Sequence, residues 1–143
     1  MPQVYQKQKA KEKDWADIWQ VGNGALGLET SLPVMLTEGV NKGRITMQKL
    51  VEVMCENPAK LFRIFPKKGT LQVGADADVV LVDLNKEYTV DAAKFHSVVK
   101  HSPFNGFAVK GAPVLIMVCG TVVAENGEVV TQPGHGKMVR PIK

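Results

Sequence analysis

Residues Glu56 to Asp83 read E-N-P-A-K-L-F-R-I-F-P-K-K-G-T-L-Q-V-G-A-D-A-D-V-V-L-V-D, and this stretch decides the fold. Asn57 followed by Pro58 predicts a helix start. An Asn side chain caps free backbone N–H groups, and a proline at the first helical position has no N–H to leave unpaired. The helix so begun carries Ala59, Leu61 and Phe62 toward a core, and Pro66 and Gly69 end it. Beyond Gly74, Asp76 and Asp78 lead into Val79-Val80-Leu81-Val82. That unbroken apolar run predicts a strand covered on both faces, with the two aspartates bonding nearby backbone N–H groups at its entry.

Working upstream, Met47, Leu50, Val51 and Met54 recur at i, i+3, i+4 and i+7 behind Thr46, which predicts a capped helix with methionines filling its core face. An earlier helix starts near Ser31 or Leu32, and Asn41-Lys42-Gly43 closes it. Before it lies a glycine loop with Gly22, Gly24 and Gly27. The spacing matches a dinucleotide-binding glycine motif, but Asp17-Ile18-Trp19-Gln20 is not a strand and no βαβ unit follows, so that reading is set aside. Trp15, Ile18 and Trp19 make one apolar helical turn that calls for a partner surface. Lys7, Lys9, Lys11 and Lys13 form a band that no core accepts, read as a solvated segment or an anion-binding arm.

Downstream the pattern turns to strands. Glu87 to Val90 is short and half-buried, and Pro113 to Cys119 is strongly apolar. Thr121 to Ala124 pairs with Glu128 to Thr131 across Asn126-Gly127, the dipeptide a tight hairpin favours because both positions need positive φ. Helices followed by strands give an α+β chain.

Composition bounds the function. The chain has 143 residues, 45% of them apolar and 22% charged, enough for a real core. A net charge of +4 is far from the footprint of a nucleic-acid binder. No apolar run approaches the roughly 18 residues of a membrane span. Cys55 and Cys119 sit in apolar segments without metal-type spacing, so they read as small buried hydrophobes in a reducing compartment, and the cytoplasm is the expected location.

Asn57 to Lys60 and Lys68 to Val82 resemble, almost position for position, the stretch in metal-dependent cyclic amidohydrolases where the last helix of the catalytic barrel gives way to a small β-domain. This family includes dihydroorotases, allantoinases, hydantoinases and dihydropyrimidinases. Gly24, Gly27, Glu29, Thr30, Leu32 and Pro33 match the G-x-x-G-x-E-T/R-x-L-P element that lies along the family's active-site mouth. His101 to Gly106, Val109 to Gly120 and Gly134 to Arg140 resemble its later elements. The likeness therefore runs from about Lys7 to Arg140.

The resemblance implies specific roles. In hydantoinase-like members an Asn just before the first of these glycines holds the cyclic amide through its main chain, so Asn23 and Gly24 are the expected substrate-binding residues, in a completed barrel only. A ring amide offers an N–H and a C=O side by side, which paired backbone groups can read. The family uses zinc or another divalent metal, held by a His-x-His, a carboxylated Lys, two further His and an Asp. The sequence contains no His-x-His, and His96, His101 and His135 are its only histidines. It opens at about the point where the family's last metal-ligating Asp has passed. No catalytic residue, metal ligand or cofactor site is therefore expected in this chain. Ser97 and Ser102 have no matching His and acid arrangement, and no G-x-S-x-G element is present.

The resemblance assigns residues 1–65 to the end of the (β/α)8 barrel, as its last loop and helices, and 66–143 to the C-terminal part of the accessory β-sandwich and tail. A whole barrel needs roughly 250 residues. The expected function is thus that of the C-terminal part of an enzyme hydrolysing C–N bonds in cyclic amides such as dihydroorotate, hydantoin or allantoin, inactive by itself. The alternative is a free-standing non-catalytic module that assembles with a partner or with itself. Family members complete the sandwich with N-terminal strands, so open edges and bare apolar faces predict self-association or pairing with a complementary barrel portion, and neither nucleic acid nor membrane is an expected partner.

Overall fold

The structure, a computed structural model, describes residues 26–142. The described residues form two compact units. One comprises the chain as far as Ser31 together with Thr89–Ala108, and the other comprises Leu32–Tyr88 together with the chain from Val109 onward. Trp15, Ile18, Trp19 and the lysine band lie outside the described residues, as do Asn23 and Gly24.

In the larger unit, helix α1 (Ser31–Val34) runs into a π-helical turn, Met35–Asn41. Pro33 sits in its first turn, where backbone N–H groups have no helical partner anyway. The Thr37 hydroxyl donates back to the Pro33 carbonyl at 2.7 Å and accepts the Lys110 N–H at 2.9 Å, while the Asn41 amide donates to the Lys110 carbonyl at 2.8 Å. Side-chain back-bonding of this kind bends a helix. It also stitches this turn to a strand.

The next helical stretch corrects the sequence reading. Thr46 caps it as expected, accepting the Lys49 N–H at 3.1 Å, and α2 spans Met47–Val51. A π turn, Glu52–Glu56, then joins it directly to α3, Asn57–Leu61. Asn57 is therefore inside a continuous helix and does not start a new one, and its amide reaches Glu52 Oε1 at 3.4 Å. Pro58 lacks an N–H and its ring would press on the carbonyl four residues back. Widening the turn just ahead of the proline relieves that clash.

Leu50 and Ala59 are buried, but Leu61 is 79% and Phe62 66% exposed, so the apolar end of α3 does not face a core among the described residues. Leu61 closes the helix, Phe62 caps it, and Arg63 turns the chain at a φ of 55°. Gly69 then packs against the helix, where a Cβ would stand 2.5 Å from Ala59 Cβ and 2.7 Å from the Cys55 carbonyl oxygen. Only glycine fits there, and its φ of 84° requires glycine as well.

Four strands form one sheet in the order β1-β2-β3-β4. β1 spans Val79–Thr89, so the two separate strands read from sequence are one. Its apolar start is not covered on both faces, since Val80 is 47% and Leu81 51% exposed. β2 is Ala108–Val118, β3 Thr121–Glu125 and β4 Glu128–Val129. β2/β3 and β3/β4 are antiparallel. Asn126 (φ 52°) and Gly127 (φ 93°) make the expected two-residue turn between Glu125 and Glu128. Cys119 and Gly120 take the same left-handed conformation between β2 and β3. A bulge between Ile116 and Met117 shifts the register of that pair.

Within the smaller unit, the Val90 N–H donates to the Phe107 carbonyl at 2.9 Å and the Gly106 N–H to the Val90 carbonyl at 2.8 Å. The Phe104 and Phe107 rings meet edge to face at 6.1 Å. Among its described residues, Val90 and Ala92 are buried apolar ones.

Candidate functional site

The segment that carries the expected substrate contacts enters the described region at the Gly27–Ser31 turn. The Gly27 carbonyl accepts N–H groups from Thr30 at 3.1 Å and Ser31 at 2.7 Å, and Thr30 is 1% exposed. Between them, Glu29 reaches far along the chain. Its Oε2 accepts the His96 N–H at 2.9 Å, and its Oε1 accepts the Ser97 N–H at 3.0 Å and the Ser97 hydroxyl at 2.6 Å. Burial alone pushes the Glu29 carboxyl up, but the Ser97 hydroxyl and the two backbone donors outweigh it, holding the group below the usual glutamate range. Leu28, one residue away, is 91% exposed.

A second polar cluster fastens the larger unit. Lys68 Nζ lies 3.0 Å from Asp76 Oδ2, pairs with Asp78 Oδ2 and stands 3.8 Å from Cys119 Sγ. Asp78 Oδ1 accepts the Cys119 N–H at 2.9 Å, and the Gly120 N–H donates to the Ala77 carbonyl at 2.9 Å. Burial draws the Lys68 ammonium down, and the two carboxylates more than reverse this, leaving its pKa above the usual lysine range. Burial likewise raises Asp78, while Lys68 and the Cys119 N–H hold it below the usual aspartate range. The aspartates are thus structural, yet their main partners are a lysine and a distant turn, not neighbouring backbone.

Both cysteines are exposed and free, contrary to the buried positions expected from their apolar neighbours. Cys55 stands on the π turn and Cys119 on the β2–β3 turn. His135 Nε2 contacts the Val118 carbonyl at 3.1 Å, beside a shallow apolar hollow of about 300 Å³ lined by Val118, Val123, Val129 and Pro133. Among the described residues, no group of three or more His, Cys, Asp or Glu side chains is placed to hold a metal ion. Also among the described residues, no helix is long and apolar enough to cross a membrane.

The family model described as "Amidohydrolase family" matches residues 16–130. The chain belongs to the amidohydrolase family. Among curated amidohydrolases it is 64% identical over 129 residues to the L-hydantoinase of Paenarthrobacter aurescens, covering 90% of this chain and 28% of that protein. It is 48% identical over 104 residues to the dihydroorotase of Acetivibrio thermocellus, covering 73% of this chain and 24% of that one. Among solved structures, the L-hydantoinase of Arthrobacter aurescens superposes with a TM-score of 0.85 at 62% identity, over 91% of this chain and 29% of that chain. The sequence thus spans 24–29% of the length of these relatives. Its kinship is to hydantoinases, dihydropyrimidinases and dihydroorotases, enzymes of the cyclic amidohydrolase superfamily.

In the sequence Glu29 is one position of a matching element, and nothing there points to its bonds to His96 and Ser97. No spacing rule joins residues 67 and 68 positions apart. Lys68 was equally silent, since a lysine in a turn reads as solvated.

Proposed function

We propose that this chain is the C-terminal part of a hydantoin-opening amidohydrolase. Residues 1–65 would close the catalytic barrel and 66–143 would supply part of the accessory β-sandwich. The reading is carried by one observation, the 64% identity to an L-hydantoinase across 90% of the chain. In the reaction, water adds to a ring carbonyl, the C–N bond breaks, the nitrogen takes a proton and the carbon leaves as carboxylate. The chain's contribution is the main chain of Asn23 and Gly24, which reads the ring's adjacent N–H and C=O. The metal-binding residues belong to the remainder of the enzyme, so the chain alone is inactive, and a reducing cytoplasmic setting suits its two free thiols.

The test is complementation. The chain is co-expressed with the N-terminal remainder of the P. aurescens L-hydantoinase, and ring opening of hydantoin, dihydroorotate and allantoin is followed. Hydantoin opening that needs both pieces is the expected result. Stable assembly without turnover of any of the three rings overturns the hydrolase reading.

A second reading, a non-catalytic module that assembles with a partner or with itself, is favoured by the bare apolar surface at Leu61, Phe62, Leu71 and Val73, the last two 74% and 103% exposed. Under that reading the chain forms a complex in its source cells that contains no ring-opening activity.

A further inference from the structure

We propose that Glu29 is a positioning residue whose carboxylate ties the Gly27–Ser31 turn to the His96–Ser97 bend, fixing the downstream end of the glycine loop that carries Asn23. The inference rests on the reading that this loop meets the substrate.

The geometry is that of a tether. Three donors converge on one carboxylate, at 2.6, 2.9 and 3.0 Å, and both oxygens are engaged. Hydrogen bonds to an ionised acceptor are the strong ones, and two of these three come from consecutive backbone N–H groups, so the bend is held as a unit. The turn's own bonds, from Thr30 and Ser31 to the Gly27 carbonyl, make it rigid but tie it only to itself. Glu29 supplies the long-range anchor, joining residues 67 and 68 positions apart.

Such an anchor matters most where the loop is least restrained by its own sequence. Glycine has no side chain with which to hold its backbone in place, and the sequence carries glycines at 22, 24 and 27. A substrate read by main-chain groups needs those groups held in place before it arrives, and freedom left in the loop is lost on binding. Both carboxylate oxygens of Glu29 are engaged by His96 and Ser97, so its effect on the reaction passes through the turn that it holds.

Two variants separate the tether from general packing. Glu29→Gln keeps the shape but turns an acceptor oxygen into an N–H donor, and Ser97→Ala removes one donor of three. In the 143-residue chain, hydrogen exchange of residues 27–31 and 96–97 is expected to quicken about tenfold in Glu29→Gln and less in Ser97→Ala, while the β3–β4 hairpin keeps its rate. In the complemented enzyme, Glu29→Gln is expected to raise KM for hydantoin about tenfold with kcat within about twofold, and Glu29→Asp to recover part of the loss. Unchanged exchange, a uniform rise across the whole chain, or an unchanged KM overturns the inference. If the unsubstituted complement opens no ring, the hydrolase reading falls by itself, and the exchange rates still decide whether Glu29 is the tether.

Discussion

Asp78 accepts the backbone N–H of Cys119 at 2.9 Å, so the residue just ahead of β1 is fastened to the turn between β2 and β3, 41 positions later. The same carboxylate pairs with Lys68, whose side chain is only 14% exposed and also meets Asp76. One ammonium thus joins the loop after α3, the entry to β1 and a hairpin. Lys68→Met removes the shared cation and leaves two carboxylates facing each other. A loss of about 2 kcal/mol is expected, discounted for the partial exposure of the aspartates. Urea unfolding of the variant checks it, and a midpoint equal to that of the unsubstituted chain would show the cluster to be inert.

Asp78 and Glu29 both have folded pKa values below their ordinary ones. A depressed carboxylate stabilises the fold above its unfolded pKa, about 4, and that stabilisation disappears as pH falls through the lower folded value. Stability is therefore expected to decline below about pH 4, and Asp78→Asn to flatten part of that decline. Lys68 has the opposite sign. Its raised pKa gives stabilisation that is complete below about pH 10 and lost only as alkali titrates the folded ammonium. Thermal melts between pH 2.5 and 7 in both chains measure the carboxylate part.

Gly69 and Gly74 both have positive φ, 84° and 92°, but only Gly69 is crowded. A Cβ at Gly74 meets nothing within 4 Å, so Gly74→Ala should cost about 1 kcal/mol, the conformational part alone. Gly69→Ala drives a methyl into Ala59 and the Cys55 carbonyl and should cost about 3 kcal/mol or more. Comparable losses for the two would show that the contact with the helix is loose.

Cys55 and Cys119 are the chain's only cysteines and both are exposed. Two equivalents of a thiol reagent should react in the native chain without denaturant. Burial pushes the Cys55 thiol up, so at neutral pH Cys55 should react more slowly than Cys119, and Cys119→Ser should abolish the faster phase. A single reacting thiol would contradict the exposure of the pair.

Leu61 and Phe62 end α3 in the open. If self-association runs through them, Leu61→Glu with Phe62→Ser should lower the apparent mass in light scattering while shifting the melting temperature by no more than a few degrees. An unchanged mass would move the contact elsewhere.

What could be read from the sequence was what neighbouring residues decide between themselves. Thr46 caps its helix and Asn126-Gly127 turns its hairpin because both effects act within four residues. Asn57-Pro58 carries an equally local signal, yet the helix continued through it, since a wider turn costs less than ending a helix whose Leu50 and Ala59 are buried. Hidden altogether were the partners that folding brings from afar, Ser97 to Glu29 and Cys119 to Asp78. The apolar run at Val79 also misled. Hydrophobicity says that a surface is to be covered, not that this chain covers it. The expected site residues Asn23 and Gly24 were legible only through likeness to relatives, because a main-chain contact leaves no side-chain signature.

The π turn at Glu52–Glu56 has a consequence for how the chain tolerates changes in length. It holds more residues per turn than the helical pieces on either side, so removing one residue there would let α2 and α3 merge into a regular spiral. The residues left would turn the chain about as far as the wider turn does now, so everything after the deletion would keep nearly its present phase about the axis. Ala59 would still face Gly69, while Pro58 would meet a carbonyl it now avoids. The spare residue is absorbed by the wider turn, and a deletion there would disturb α3 less than one inside α2 or α3.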